Sequence, residues 1–214
     1  LANRYGFQQT EPIQGGIVTM LIRPPASIPG LNVRPVKRDE LPGLVNGMNA
    51  FYSEYNLWSP VSFDTLTEFL GQEVAEAKPN QLYVVVRGGK ILGGLSLSDR
   101  TNLVRMRLTH APWYVRLLGG WLGLLPSSGV LESLTVRRVW FQEGELEAAR
   151  FLWNKLRYEL RDVGNCVGIA YDPRDHLADV FQIPFWLPMF KARYLVRASA
   201  PLETKQLTYC IAGA

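Results

Sequence analysis

Residues able to do chemistry fall into three places in this chain. The first is Glu132-Ser133, at the head of an apolar run. Ser133 has no His/Asp constellation beside it, so a serine hydrolase finds no support. The second is Gln142-Glu143-Gly144-Glu145, where a strand gives way to a long helical pattern. Amides at a helix start favour an anion, and a glycine lets backbone approach it closely. Glu143, Glu145 and Glu147 put carboxylates at the same spot. The third is the stretch 103–128, where Arg105, Arg107, His110 and Arg116 interleave with Trp113, Tyr114 and Trp121. That mixture suits an acyl-chain pocket or a membrane-interface patch. Its glycines make a poor anchor helix, which favours an insertion that packs on the core. With His110, His176, Cys166 and Cys210 as the only histidines and cysteines, neither a histidine-rich metal centre nor a disulfide framework can be built.

These groups need a scaffold, and the composition supplies one. Of 214 residues, 47% are hydrophobic and 20% charged, enough for a sizeable core and unlike a disordered chain. The net charge of +4 comes without a long Lys/Arg run, so no nucleic-acid arm is expected. Val115 to Pro126 is too short to span a bilayer, which takes about 20 residues. Membrane association is therefore not expected, and free cysteines point to a reducing cytoplasm. The start at Leu1 reads as a processed or cut product.

The segment 1–25 ends in the β-branched run Ile17 to Ile22. Residues 26–30 contain Pro29-Gly30 and read as a linker. From 31 to 214 the pattern predicts β-α-α-β-β-β-α-β-α-β-β. Leu44, Val45, Met48, Phe51 and Tyr52 share one face of the first helix. Leu82–Val86 and Ile91–Leu97 flank Arg87-Gly88-Gly89-Lys90 as a hairpin. Val130–Val136 and Cys166–Tyr171 are strands around the helix Glu145–Val163. A short helix covers His176–Phe181, and Arg193–Ala198 and Gln206–Ile211 close the chain as strands. This is a mixed α/β domain, with a central, mostly antiparallel sheet and helices on both faces.

The element order, with Leu134-x-Val136 leading through Gly144 to Leu160, resembles the GNAT superfamily of N-acetyltransferases across 31–214. Arg4-Tyr5-Gly6-Phe7 and the following strand look like the end of another such domain, so 1–25 is expected to be the hairpin tail of a preceding GNAT unit in a tandem. The resemblance implies acyl transfer from acetyl-coenzyme A, or another acyl-coenzyme A, to an amine. Leu134 and Val136 would offer backbone groups to the pantetheine arm, and Gln142, Gly144 and Glu145 would lie on the pyrophosphate loop. Glu132 would be the general base. Tyr171 and Tyr194 are the candidate acids, because Phe181 and Phe185 stand where the family's tyrosine is expected. Tyr52, Tyr55 and Trp58 would line the acceptor side. The family's final strand lies antiparallel beside its fifth, which would bring Cys166 and Cys210 together.

The loop departs from the family pattern Arg/Gln-x-x-Gly-x-Gly/Ala. Within Phe141-Gln142-Glu143-Gly144-Glu145-Leu146 only Gly144 matches. A like-charge repulsion at close range costs about 4 kcal/mol before screening, against about 8 kcal/mol for micromolar binding. Coenzyme A binding is therefore expected to be weak. The alternative is a non-catalytic GNAT-like domain that supports a partner or tandem domain, or assembles as a homo-oligomer.

Overall fold

The structure is a computed structural model that describes residues 7–74, 77–99, 101, 106–107, 113, 129–197, 201–203 and 205–210. Its strands are β1 (Gln8–Gln9), β2 (Ile13–Thr19), β3 (Leu31–Pro35), β4 (Asn80–Arg87), β5 (Lys90–Asp99), β6 (Met106–Arg107), β7 (Val130–Leu131), β8 (Ser133–Phe141), β9 (Cys166–Tyr171), β10 (Met189–Ala192) and β11 (Leu195–Val196). The helices among the described residues are α1 (Leu41–Phe51), α2 (Phe63–Gly71), α3 (Leu146–Glu159) and α4 (Leu177–Phe181).

Seven strands form one mixed sheet in the order β10-β2-β9-β8-β5-β4-β3. Every neighbouring pair is antiparallel except β8 and β9. Side-chain alternation assigns the two faces. Leu82, Val84 and Val86 of β4 join α1 and α2, whereas Val85 packs with α3 and α4. Both faces are covered, which is why the central strands read as nearly continuous apolar runs. On α3, Ala148, Ala149, Phe151, Leu152, Trp153 and Leu156 are buried. On the other face α1 approaches β8 closely. The Trp140 ring fills the space where side chains on Gly47 and Gly94 would begin, at 2.6 and 2.7 Å from their ideal Cβ positions.

The N-terminal segment is built into this sheet. Strand β2 pairs antiparallel with β9 from Gln14↔Tyr171 to Thr19↔Cys166, and with β10 on its other side. Arg157 of α3 locks its end by donating from Nε and Nη2 to the Thr19 carbonyl, at 3.0 and 2.6 Å. Residues 13–19 are thus an interior strand of the same sheet as 31–197, rather than a hairpin standing apart from it.

Two further expectations are corrected. The place beside β9 belongs to β2, and the described residues of the chain's last segment add no strand to the sheet: Thr208 makes an isolated bridge to Asn56, and the described residues 193–197 contribute Leu195–Val196, paired to β1. Cys166 opens β9 and Cys210 lies beyond its far end, against Tyr171 and Asp172. Six residues of strand separate these ends by about 17 Å, so the thiols are not neighbours across a ladder. Residues 103–128 lie outside the described residues apart from β6 and Trp113, and the acyl-pocket and insertion readings lie there with them.

Candidate functional site

Strands β8 and β9 start side by side and then part. Their parallel ladder runs from Ser133↔Cys166 through Leu134↔Val167 to Thr135↔Gly168 and stops. On the other side of β8, Leu97 pairs with Val136 and Ser96 with Arg138, so Arg137 is an extra, bulged residue. A bulge bends a strand and strengthens its twist, and here it lies where the two strands diverge. The sequence carries a trace of it, since Arg137-Arg138 interrupts an otherwise apolar strand.

Parting leaves β8 backbone groups facing away from β5, and those groups must find partners. Tyrosines supply them. The Tyr52 hydroxyl donates to the Val139 carbonyl and accepts from the Val139 amide at 3.2 Å. The Tyr209 hydroxyl donates to the Arg137 carbonyl at 3.2 Å. Tyr52 stacks on Trp58 with ring centroids 4.5 Å apart, and Tyr209 meets both rings edge-on at 5.0 and 4.7 Å. Burial pushes the Tyr52, Tyr55 and Tyr209 hydroxyls well above or above their usual range, so all three stay protonated donors. The space left between β8, β9 and these rings is about 10 Å³, room for about one water.

Tyr209 is held in place by two clamps on its own segment. Asn56 donates its amide to the Leu207 carbonyl at 2.8 Å and accepts from the Tyr209 amide at 3.0 Å. At the end of β9, the buried Asp172 carboxylate accepts from Arg174 Nη2 at 2.7 Å and from the Thr208 amide at 3.0 Å. Arg174 also donates to the Gln206 carbonyl at 2.9 Å. Burial alone would raise the Asp172 carboxyl, but the Arg174 guanidinium and these amides hold it below its usual range. Burial raises the carboxyl of neighbouring Asp175.

The loop after β8 is tied down by its own residues. Gln142 donates its amide to the Leu92 carbonyl at 2.8 Å and its side chain to Ile91 at 2.7 Å. Gly144 has φ +79°, a conformation that excludes most side chains. Glu145 caps α3, since the first helical bond runs from the Ala149 amide to its carbonyl. Its carboxylate pairs with Arg87 at 3.2 Å.

The structure scatters the other predicted site residues. Glu132 precedes β8 at the end opposite the loop, its amide and carbonyl both bound to Asn165. Leu134 sits within ladders on both sides of β8 and has no free edge to offer, a correction to its expected role. Val136 is the first residue beyond the shared ladder. The Tyr171 hydroxyl donates to Gln14 at 3.3 Å, and Tyr194 is tied to Thr10 beside β11. Tyr52, expected on the acceptor side, instead serves β8 from within. The residues present therefore do not fit a pantetheine arm in this split.

No family model matches the chain, and no curated protein sequence does. Solved structures do. A GCN5-related N-acetyltransferase from Anabaena variabilis superposes with a TM-score of 0.55 at 11% identity, covering 90% of this chain and 41% of its own. N-myristoyltransferase from Saccharomyces cerevisiae with bound myristoyl-CoA gives 0.53 at 11% identity, covering 85% of this chain and 42% of its own. The fold is that of the GCN5-related N-acetyltransferases, and the chain spans less than half the length of these two proteins. No helix among the described residues is long and apolar enough to cross a membrane.

Proposed function

We propose that this domain is an acyltransferase-fold module that does not itself turn over a thioester and instead supports a partner or a tandem domain. The observation that carries this reading is the Tyr52–Tyr209 closure of the β8/β9 split, where backbone groups that could hold a cofactor are already bonded. The position of Glu132 agrees with it, because its backbone is fixed at the far end of β8, bound to Asn165. Acyl transfer from acyl-coenzyme A to an amine is the second reading. It is favoured by the Arg87–Glu145 pair, which reduces the acidic charge at the loop.

The two readings separate in one assay. Free thiol released from acetyl-coenzyme A is followed with a panel of primary amines. The module reading expects release at the rate of buffer alone. Turnover above that rate, abolished by Glu132→Gln, would establish the enzyme instead.

A further inference from the structure

One end of the seven-stranded sheet is β10, and its outer side is open. Among the described residues β10 pairs with β2 alone, from Met189↔Gly16 to Ala192↔Ile13. In an antiparallel pair alternate residues turn their N–H and C=O away from the partner, so backbone groups of β10 face outward with no strand to receive them. The edge runs on past the strand. The Tyr194 amide donates to the Thr10 hydroxyl at 3.0 Å, the Thr10 amide donates to the Tyr194 carbonyl at 3.1 Å, and β11 then pairs with β1.

The two faces of this edge differ. Met189 packs against the core beneath α3 and α4, so Lys191, two residues on, belongs to that face, and Arg193 follows it just beyond the strand. Lys191, Arg193 and Arg197 are exposed, and they enter no ion pair among the described residues. Phe190 takes the opposite face, where its ring fills the space in which a side chain on Gly15 would begin. That ring is still 59% exposed, and Phe185, just ahead of the strand, is 99% exposed. With Trp186 and Leu195 they set large apolar groups in solvent along one short stretch, a pattern that marks an interaction site.

Charge says what would dock there. Lysine on an edge strand guards it against pairing with a copy of itself, and two copies would bring the same three cations together. A strand that carries carboxylates meets no such barrier, because opposite charges across a ladder attract. A lipid surface would meet the charges and the rings, but it supplies no strand for the outward backbone groups.

We propose that the outer edge of β10 is the docking strand for an extended acidic segment of a partner protein, which adds to the sheet as a further strand. Its carboxylates lie against Lys191 and Arg193 on one face, and the apolar residues that alternate with them lie against Phe190 on the other. This deepens the module reading and rests on it, since it gives the supported partner a place to bind.

The test is a calorimetric titration of the whole chain, at low ionic strength, with an end-blocked peptide of about seven residues that alternates glutamate and valine. Two controls run alongside: the lysine–valine counterpart, and a fully N-methylated form that keeps the carboxylates but has no N–H to donate. Saturable binding of the acidic peptide is expected at about 200 µM or below, with both controls at least about tenfold weaker. Lys191→Glu combined with Arg193→Glu, checked as folded by circular dichroism, should weaken the acidic peptide at least about tenfold. No saturation up to about 1 mM, equal binding of the N-methylated peptide, or unchanged binding in the folded double variant would each overturn the proposal. A wild-type dimer in sedimentation that the double variant dissociates would assign the edge to a second copy instead. Binding to phosphatidylserine vesicles without peptide binding would assign it to a lipid surface. The thiol-release assay bears on the module reading alone. Release above buffer with peptide binding intact would remove that reading and leave the docking edge, whereas no release and no peptide binding would do the reverse.

Discussion

The hydroxyl of Tyr52 serves both backbone groups of Val139, 87 residues away, donating to its carbonyl and accepting from its amide. One side chain from the C-cap of α1 thus replaces the strand that would otherwise pair with β8. Tyr52→Phe keeps the ring but leaves two buried backbone groups unpaired. Such groups cost about 1–3 kcal/mol each. Urea unfolding should show a loss of about that size with unchanged m-value, and a loss below about 0.5 kcal/mol would mean that water replaces the hydroxyl at no cost.

The Asp172–Arg174 pair is the second support of the closure. The Asp172 side chain is fully buried, so Arg174→Ala leaves a buried carboxylate without its cation. A fully buried pair broken in this way costs about 3–5 kcal/mol; Arg174 is 38% exposed, so solvent screening brings the cost here below that, to about 1–3 kcal/mol. The expected outcome is destabilisation, together with faster proteolytic cutting between 202 and 207, where the released segment is exposed. Equal cutting in variant and wild type would show that Asn56 alone holds the segment.

Much of the scaffold could be read from sequence. The periodicity of α1 and α3, the β4–β5 hairpin around Gly88-Gly89 and the apolar run of β9 are local signals, and each element is found where its pattern lies. The place of β2 was not legible: the β-branched run marked a strand at Ile17–Ile22, whereas β2 runs Ile13–Thr19, and its partners on β9 lie about 150 residues on. The site was harder still. Gly144 and Glu145 are found on the loop, but Tyr52 sits in a helical apolar stripe and reads as core. Only the bulge at Arg137 shows why its hydroxyl is needed.

The thiols offer a check on the corrected topology. Burial pushes Cys166 up to about 11, and burial with Asp172 and Asp175 pushes Cys210 up to about 12. Both should resist a thiol reagent at pH 8 in the folded protein and react once it is unfolded. Mild oxidation should give no Cys166–Cys210 disulfide, since the two lie toward opposite ends of β9. A folded protein carrying that bridge would restore the original strand order.

Acid should act on the entrance to α1. The bidentate Arg34 contact, at 2.8 and 2.5 Å, and the Lys37 amide hold Glu40 at about 2, against an ordinary value of 4.5. A carboxyl lowered on folding contributes stability that is complete above its unfolded value and is lost as pH falls toward the folded one. The pair should therefore weaken between about pH 4.5 and 2. Arg34→Ala should cost about 1 kcal/mol at neutral pH and flatten that part of the stability–pH curve. An unchanged slope in the variant would assign the acid sensitivity elsewhere.

The closed split is tested most directly by calorimetric titration of the wild-type chain with acetyl-coenzyme A at low ionic strength. With Tyr52 and Tyr209 bonded to β8 and about 10 Å³ between the strands, no saturable binding is expected up to about 1 mM. A saturable isotherm with a dissociation constant below about 10 µM would contradict the account, because the tyrosines would then have to leave β8 at no great cost.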